Sequence, residues 1–505
     1  MTAKTIMVMG TSSSAGKSLV TTALCRCFAR RGFRVAPFKA QNMSNNAAVC
    51  GDGAEIGRSQ ALQAMAAGTL PHSDMNPILL KPEGQTRSQV IVNGRPLQTL
   101  EAVDYFKRRQ QLWPHVTAAV DRLRDQYDVV VIEGAGSPAE LNLASVEMVN
   151  MSVARYCQSP VLLIGDIERG GVFAQLLGTL WLLEPEDRKL IKALLVNKFR
   201  GDLSLFDSGV EILKERGGVD VLGVLPWIDG LQLPEEDAVA LSEPTPNESP
   251  SDSQVDIAVI HLPHIANFDD FDPLASEPSV RLRYVRSCEQ LGHPNVVILP
   301  GTKNTMGDLQ WLHDAGLAQR IEQLAGHETI VVGICGGYQM LGQSIVNPHR
   351  LESGVERAAG LGLLPVSTTF EAEKQTCQVQ LQIADESIVS GMTGEWLSGY
   401  EIHNGQTHSN TAWLTNSSKN DGAHARDGQI WGCYLHGLFH NDRFRTAWLN
   451  RLGAQPIMLE PTSSQTQLHL SLDKLADAFE AHIDFNRLLE IVFESTLNQE
   501  SQYVG

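Results

Sequence analysis

Short apolar runs alternate with amphipathic stretches along the first half of the chain. The apolar runs predict strands at Thr5–Met9, Phe33–Phe38, Asp128–Ile132, Val161–Gly165, Ile191–Val196 and Val219–Leu225. Longer stretches between them have apolar residues at helical spacing and predict helices, among them Lys17–Arg31, Leu100–Gln126 and Phe173–Leu183. Strands that alternate with helices and are apolar throughout are typical of a parallel sheet covered on both faces. The pattern therefore predicts an α/β domain.

A second alternating series begins after a polar segment and predicts a second α/β domain. Its strands are predicted at Val255–Ile260, Val296–Leu299, Thr329–Gly333, Cys377–Ile383 and Gln429–Leu435. Helices are predicted at Gly307–Leu324 and, near the end of the chain, at Leu470–Phe493. The polar segment, SEPTPNESPSDS, has no large apolar residue apart from its prolines, which predicts a solvated linker. We therefore expect domains at 1–241 and 254–505, the second with a C-terminal helical extension, joined by a linker at 242–253.

Composition narrows the class of protein. The chain has 505 residues, with 40 Lys and Arg against 58 Asp and Glu, which gives a formal net charge of −18. Because affinity for nucleic acid depends mainly on Lys and Arg, we expect no nucleic-acid partner. The eight cysteines include no CxxC pair, and no apolar run approaches the ~18–20 residues that span a bilayer. We therefore expect a cytoplasmic protein with no membrane partner, and the sequence implies no obligate protein partner.

The segment MVMGTSSSAGKS joins a predicted strand to a predicted helix and ends in Gly-Lys-Ser. In a P-loop, backbone N–H groups at a helix N-terminus surround the phosphates of a nucleotide, the lysine contacts the β- and γ-phosphates, and the hydroxyl ligates Mg²⁺. The G-x4-G-K-[ST] pattern fails at one position, since Thr11 stands where its first glycine is expected. The alternative is a glycine-rich turn that happens to precede a lysine. The strand before and the helix after favour ATP binding by Gly10, Thr11, Ser12, Ser13, Gly16, Lys17 and Ser18.

A carboxylate follows another apolar run, in the segment DVVVIEGAG. Glu133 stands at the predicted carboxyl end of this strand, where open α/β sheets bind ligands. With the Ser18 hydroxyl it is a candidate ligand for Mg²⁺. The alternative role for Glu133 is to cap the turn that follows the strand.

The segment TIVVGICGGYQMLG predicts a strand that turns sharply into a helix at a G-x-C-x-G sequence. Such an elbow needs small flanking residues, and it exposes the sulfur of Cys335 above a helix N-terminus that favours a thiolate. Neighbouring backbone N–H groups then form an oxyanion hole. The alternative is a buried cysteine that acts as a small hydrophobe, but glycines on both sides would bring nothing to a core strand. Cys335 is therefore predicted to be a catalytic nucleophile.

A cysteine nucleophile needs a base, and the segment WGCYLHGLF offers one. His436 follows a strand-like run, a setting that the other fourteen histidines lack. A histidine at a strand end is more often only hydrogen-bonded, so its assignment as the base depends on Cys335.

Several of these segments resemble known enzymes. GTSSSAGKS and VVIEGAGSPAE are similar to the dethiobiotin-synthetase-like P-loop amide ligases, which use ATP to activate a carboxylate. KAQNMSNNA, GDIERGGVF, PGTKNTMGDLQWL and GYEIHNGQT resemble the cobyric acid synthase family. WGCYLHGLF resembles the histidine segment of triad-type glutamine amidotransferase domains. The resemblance runs in order from Gly10 to about Phe439 and implies an N-terminal P-loop sheet followed by a C-terminal α/β amidotransferase-like domain.

The resemblance also implies a reaction. Family members amidate the b, d, e and g carboxylates of adenosylcobyrinic acid a,c-diamide, with ATP, Mg²⁺ and ammonia released from glutamine. The corrinoid polycarboxylate would meet donors from the stretch after the second strand, whose alternative role is an ordinary polar loop: Lys39, Gln41, Asn42, Asn45 and Asn46.

One departure from the amidotransferase pattern concerns the third member of the triad. The residue two positions after the histidine is usually Glu, but here it is Leu438. Either another acid orients His436, with Glu401 as the candidate, or the site works as a Cys335–His436 pair; we favour the pair.

Three other functions fit parts of the sequence. A cobyrinic acid a,c-diamide synthase would share the architecture, but KAQNMSNN does not match the aspartate-bearing segment expected there. A partitioning-type ATPase usually has a lysine early in its P-loop, where this chain has Thr11 to Ser14, and it needs no cysteine elbow. A scaffold with an inactive amidotransferase domain is disfavoured because Cys335 and His436 are both present.

Overall fold

The structure is a computed structural model that describes residues 2–84, 86–234, 236, 254–352, 354–454 and 463–493. The segment predicted to be a linker, residues 242–253, lies outside the described residues. Within them, no helix is both long enough and apolar enough to cross a membrane.

The N-terminal half is built on a six-stranded parallel sheet. Across the sheet the strands are Asp220–Pro226, Ile191–Phe199, Val161–Asp166, Lys4–Gly10, Val129–Glu133 and Val35–Phe38. Apolar clusters cover both faces, which explains why the central strands are apolar at nearly every position. The helices of this half are Lys17–Arg30, Arg58–Ala66, Ala102–Arg108, Trp113–Gln126, Met151–Cys157, Val172–Leu182, Pro185–Arg188 and Asp207–Gly217.

The sequence patterns missed two small sheets. Along the chain, both lie between the large-sheet strands Val35–Phe38 and Val129–Glu133. One has four strands, Gln41–Met43, Ile78–Pro82, Arg87–Val92 and Arg95–Glu101, and the other pairs Ala47–Val49 with Glu55–Gly57. They contain the polar stretch predicted to bind the corrinoid, which is therefore partly strand rather than an ordinary loop.

The C-terminal half contains a second parallel sheet that ends in an antiparallel hairpin. Its strands in spatial order are Val280–Val285, Val255–Ile260, Val296–Leu299, Ile330–Ile334, Ile430–Cys433 and Ala423–Ala425. Its helices are Asp272–Ala275, Cys288–Leu291, Thr305–Asp314, Leu317–Ala325, Gly336–Leu341 and Asp442–Arg451. The carboxyl ends of Val296–Leu299 and Ile330–Ile334 are adjacent, which brings the PGTKNT segment next to the cysteine elbow.

A long antiparallel hairpin extends from this half. Ser367–Ile383 pairs with Trp396–His408 in a mixed sheet that also contains Ser344–Val346, Arg357–Ala359, Leu414–Thr415 and Asn420–Asp421. The sequence predicted only part of the first of these two strands, at Cys377–Ile383.

The last described helices, Ser464–His482 and Phe485–Phe493, pack against the N-terminal half. Leu475 and Phe479 share an apolar cluster with Phe28 of the first helix, and Arg26 forms an ion pair of 2.8 Å with Asp473. The chain end therefore returns to the domain from which the chain started.

Three helices predicted as continuous are interrupted. The predicted helix Leu100–Gln126 begins as the end of a strand and contains a 3-10 turn, Arg109–Leu112, before Trp113–Gln126. The predicted helix Gly307–Leu324 breaks at Gly316, whose φ of 72° is left-handed. The predicted helix Leu470–Phe493 breaks between His482 and Phe485.

Candidate active sites

The cysteine elbow has the strained geometry that its sequence predicts. Cys335 has φ 52° and ψ −109°, which a non-glycine residue rarely adopts. A Cβ on Gly337 would lie 1.9 Å from the carbonyl oxygen of Leu299, and one on Gly333 would lie 2.7 Å from the Tyr338 nitrogen. The glycines therefore let the strand, the turn and the helix pack closely around the sulfur.

His436 lies beside Cys335 and is held by a carboxylate. Its Nδ1 is 2.6 Å from Oδ2 of Asp270, whose Oδ1 accepts a hydrogen bond of 2.7 Å from the Gly437 amide. The ring also makes a hydrogen bond with Cys335. Cys335, His436 and Asp270 are 7%, 1% and 2% exposed, so the three groups interact away from bulk water.

The charge state of His436 follows from these contacts. Burial alone would lower its pKa, but the charges of Asp270 and Cys335 and the hydrogen bonds to both raise the pKa to about 10. The imidazole is therefore protonated at neutral pH.

The third group of this site is therefore Asp270, and neither the favoured Cys335–His436 pair nor Glu401 matches the observed geometry. Glu401 is buried but pairs with Lys419 and lies 3.4 Å from His403. Sequence reasoning missed Asp270 because it precedes His436 by 166 residues. The adjacent acids in the segment NFDDF were the available signal.

A pocket opens beside the Cys335 sulfur and is lined by residues from both halves of the chain. The C-terminal half contributes the backbone of Gly301 and Gly336 and the side chains of Thr305, Gln339, Glu352 and Asn404, among others. Lys81 reaches the pocket from the N-terminal half. Burial raises the pKa of Glu352 to about 7, with Lys303 and the Thr305 amide opposing the rise. The pocket thus offers both polar side chains and backbone groups to a small polar substrate.

The predicted P-loop wraps around the start of the helix Lys17–Arg30. Gly16 has a left-handed φ of 97°, and a Cβ there would lie 2.1 Å from the side chain of Asn197. Lys17 Nζ donates to the carbonyl oxygens of Ser12 at 2.8 Å and Gly136 at 3.1 Å. Its ammonium group therefore lies inside the curve of the loop, where a phosphate would be bound.

The candidate metal ligands lie next to this loop. The Ser18 hydroxyl donates to Glu133 Oε1 at 2.8 Å, and Gln63 donates to Oε2 at 2.6 Å. Lys39 Nζ lies 2.8 Å from Oε1. Burial would raise the pKa of Glu133, but Lys39 and the three hydrogen bonds lower it, so the carboxylate is ionised. A single buried carboxylate with a hydroxyl beside a phosphate-binding loop fits Mg²⁺, which usually takes few protein ligands.

The five residues predicted to bind the acceptor have different surroundings. Lys39 contacts Glu133, Gln41 accepts a hydrogen bond from Tyr105, and Asn42 donates to Gln60 at 3.2 Å. Asn46 faces the C-terminal half, where its Oδ1 accepts a hydrogen bond of 3.4 Å from the Phe268 amide. Asn45 is half-buried. The structure therefore brings Lys39 to the nucleotide site and places Asn46 at the contact between the halves.

The carboxyl end of the strand Ile191–Phe199 supports the P-loop. The sequence predicted the loop but gave no sign of this support. Asn197 donates to the Ala15 carbonyl at 2.9 Å, and Lys198 donates to the Ser14 carbonyl at 2.8 Å. Lys198 also pairs with Asp166 at 2.9 Å. These contacts fix the outer side of the loop.

Comparisons with known proteins agree with this pairing of sites. Residues 6–239 match the family described as CobQ/CobB/MinD/ParA nucleotide binding domain, and residues 256–444 match the CobB/CobQ-like glutamine amidotransferase domain. The chain is 54% identical over 487 residues to the cobyric acid synthase of Chloroflexus aurantiacus, covering 94% of this chain and 96% of the relative. The chain belongs to the cobyric acid synthase family.

Other relatives in this family have similar names and lengths. The cobyric acid synthase of Herpetosiphon aurantiacus is 51% identical, with 97% of this chain and 99% of the relative covered. That of Dehalococcoides mccartyi strain 195 is 46% identical, also with 97% and 99% covered. The predicted family, the α/β fold class and a nucleotide-binding N-terminal half are therefore confirmed.

Proposed function

We propose that this chain is a glutamine-dependent cobyric acid synthase, a ligase that uses ATP to form amides on a corrinoid polycarboxylate. The observation that carries the proposal is the Cys335–His436–Asp270 arrangement in the same chain as the Lys17 P-loop, within this family. One site would release ammonia from glutamine, and the other would activate the acceptor carboxylate.

In the glutaminase reaction, Asp270 holds Nδ1 of His436 and directs Nε2 towards the sulfur. With His436 already protonated, Cys335 attacks the carboxamide carbon of glutamine as the thiolate and forms a tetrahedral intermediate. The backbone N–H of Gly336, next after the nucleophile, would donate to the developing oxyanion. His436 gives its proton to the departing ammonia, and the neutral imidazole then takes a proton from the water that cleaves the thioester to release glutamate.

In the synthetase reaction, the P-loop amides and Lys17 bind the phosphates of ATP. An acceptor carboxylate attacks the γ-phosphate and releases ADP, and ammonia displaces phosphate from the resulting acyl phosphate. Ser18 and Glu133 would hold Mg²⁺, which when bound neutralises charge on the phosphates. Lys39, beside Glu133, keeps a positive charge at this end of the sheet.

The acceptor is the corrinoid that the family name and the sequence resemblance imply, adenosylcobyrinic acid a,c-diamide, amidated at its b, d, e and g carboxylates. Lys39 lies 2.8 Å from Glu133 at the nucleotide site, and Gln41, Asn42 and Asn45 follow it on the same stretch. Their positions support a carboxylate acceptor at this edge of the sheet.

The test is mass spectrometry of the corrinoid after incubation with ATP, Mg²⁺ and glutamine. We expect four new amides, each replacing a carboxyl hydroxyl by an amino group. A product with amides only at a and c, made from the unamidated acid, would instead identify a cobyrinic acid a,c-diamide synthase. Cys335→Ala should abolish the reaction with glutamine and retain it with high ammonium, because only the nitrogen source is lost. Loss of both reactions in a folded variant would contradict the two-site proposal.

A further inference from the structure

Residues of the N-terminal half surround the catalytic histidine of the C-terminal half. Arg58, the first residue of the helix Arg58–Ala66, forms an ion pair of 2.5 Å with Asp269. The same guanidinium donates to the Tyr400 hydroxyl at 2.8 Å. Asp269 and Tyr400 both belong to the C-terminal half, so one arginine side chain joins two of its segments.

Each of these two segments contacts His436. Asp269 precedes Asp270 in the 3-10 turn Phe268–Phe271. An ion pair that holds Asp269 therefore also holds this turn, and with it the Asp270 carboxylate that contacts Nδ1 of His436. The Tyr400 ring stacks on the imidazole with centroids 5.1 Å apart and planes 15° apart. The backbones of Tyr400 and His436 also exchange hydrogen bonds of 3.1 and 2.9 Å. The imidazole is therefore held on its face by Tyr400, which Arg58 binds, and at its edge by Asp270, the neighbour of the aspartate that Arg58 binds.

The electrostatics of the turn depend on this arginine. Asp269 and Asp270 are adjacent and both are buried, which without a cation would favour protonation of one of them. Burial raises the pKa of Asp269, and the Arg58 charge opposes that rise. Arg58 thus lets two neighbouring carboxylates remain close to one imidazolium.

We propose that Arg58 is a positioning residue for glutamine hydrolysis, which acts from the N-terminal half through Asp269 and Tyr400 to orient His436. The inference rests on the proposed function. Because Arg58 acts on the imidazole through two other side chains, its loss should lower the rate of the chemical step rather than the affinity for substrate.

The test compares Arg58→Gln, Arg58→Lys and Asp269→Asn in the full-length chain. Arg58→Gln should lower kcat for glutamate release by about 10- to 100-fold, with KM for glutamine changed less than about twofold. Arg58→Lys should recover part of the loss, because an ammonium can pair with Asp269 but lacks the planar guanidinium whose Nη2 also donates to the Tyr400 hydroxyl. Amidation with ammonium should be retained in all three variants, which also shows that the nucleotide site is folded.

A double variant separates positioning from a general loss of structure. If Arg58 acts through Asp269, then Arg58→Gln combined with Asp269→Asn should lose little more than the worse single variant. Arg26→Gln is the matched control, since Arg26 also pairs with an aspartate across the chain, Asp473, and lies in another helix. It should leave the glutaminase kcat unchanged.

Two results would overturn the positioning role. One is an unchanged glutaminase kcat in Arg58→Gln, and the other is an equal fall in the ammonium-dependent reaction. Failure of the proposed function would give different results. The parent enzyme would then not amidate the corrinoid, or the Cys335→Ala variant would still use glutamine.

Discussion

Two neighbouring carboxylates on one short turn have different partners and different tasks. Asp269 pairs with Arg58, whereas Asp270 accepts from His436. Both are nearly fully buried, at 2% exposed each, and each is buried together with a basic partner. The assignment of Asp270 to the histidine leads to two predictions.

Asp270→Asn should lower the rate of glutamate release by about 10² to 10⁴-fold, because an amide donor at Nδ1 favours the wrong imidazole tautomer. Amidation with ammonium should be unaffected. Glu401→Gln is the matched control, since Glu401 is a buried acid of the same half that contacts Lys419 instead of His436, and its effect should be small. Equal losses in the two variants would remove Asp270 from its assigned role.

The raised pKa of His436 predicts a pH dependence of stability. The pKa in the folded chain is about 10 against an ordinary 6.5, so the protonated ring stabilises the fold fully below about pH 6.5. This contribution is lost as the pH rises through 10. The difference in Tm between the parent chain and Asp270→Asn should therefore be largest near pH 6.5 and narrow towards pH 10. A gap that widens with pH would contradict the ion pair.

At the scale of elements, the elbow depends on close packing at its glycines. Gly337→Ala should destabilise the chain by several kcal/mol, because its Cβ would overlap the Leu299 carbonyl oxygen at 1.9 Å. Gly178→Ala is the control, since Gly178 lies in the helix Val172–Leu182 and an added Cβ would have no atom of the described residues within 4 Å. That change should be neutral or slightly stabilising in thermal unfolding.

The P-loop gives a second prediction at this scale. Lys17→Ala should remove amidation from both glutamine and ammonium, since phosphate-clamping charge supplies several kcal/mol of transition-state stabilisation in phosphoryl transfer. Glutamate release, measured without acceptor, should persist because Cys335 lies in the other half. Near-normal turnover with ammonium would contradict the role of Lys17.

The sequence predicted those parts of the sites that are local in the chain. The P-loop and the elbow are strand-turn-helix segments whose glycines and reactive side chains lie within a few residues of one another. Asp270, Arg58 and Lys81 reach the glutaminase site from distant segments, so no spacing along the chain reveals them. The small N-terminal sheets were missed for a related reason, because their strands are short and partly polar.

At the scale of the whole molecule, the halves share a buried cluster of charges. Glu55, from the N-terminal half, is fully buried and pairs with Lys81 at 2.9 Å and with Lys374 of the long hairpin. Burial raises the pKa of Glu55, but the two lysines lower it to about 2. Burial lowers the pKa of Lys374 to about 7, with Glu55 opposing the fall. One carboxylate thus holds two lysines from different halves.

Removing the shared carboxylate should be costly. Glu55→Gln should lower the free energy of unfolding by about 3–5 kcal/mol, because it leaves two buried lysines without their carboxylate. Arg30→Met, at the exposed pair with Asp477, should cost less than about 1 kcal/mol in the same denaturant titration. Because the folded pKa of Glu55 is below its ordinary 4.5, its contribution is present above that pH and is lost as the pH falls towards 2. Equal costs for the two variants would contradict the buried cluster.

The shared Glu55 cluster has a consequence for recombination between relatives. A chimera that joins the first half of this chain to the second half of a homologue inherits Glu55 and Lys81 but takes the hairpin residue from the other parent. Where that parent lacks a cation at the position of Lys374, the graft keeps the Glu55–Lys81 pair but loses its link to the hairpin, and the reciprocal graft onto a first half without this acid buries Lys374 without its carboxylate. The two halves are therefore best exchanged together. A chimera that is to fold stably has to keep the hairpin lysine, Lys374, together with its acidic partner, Glu55.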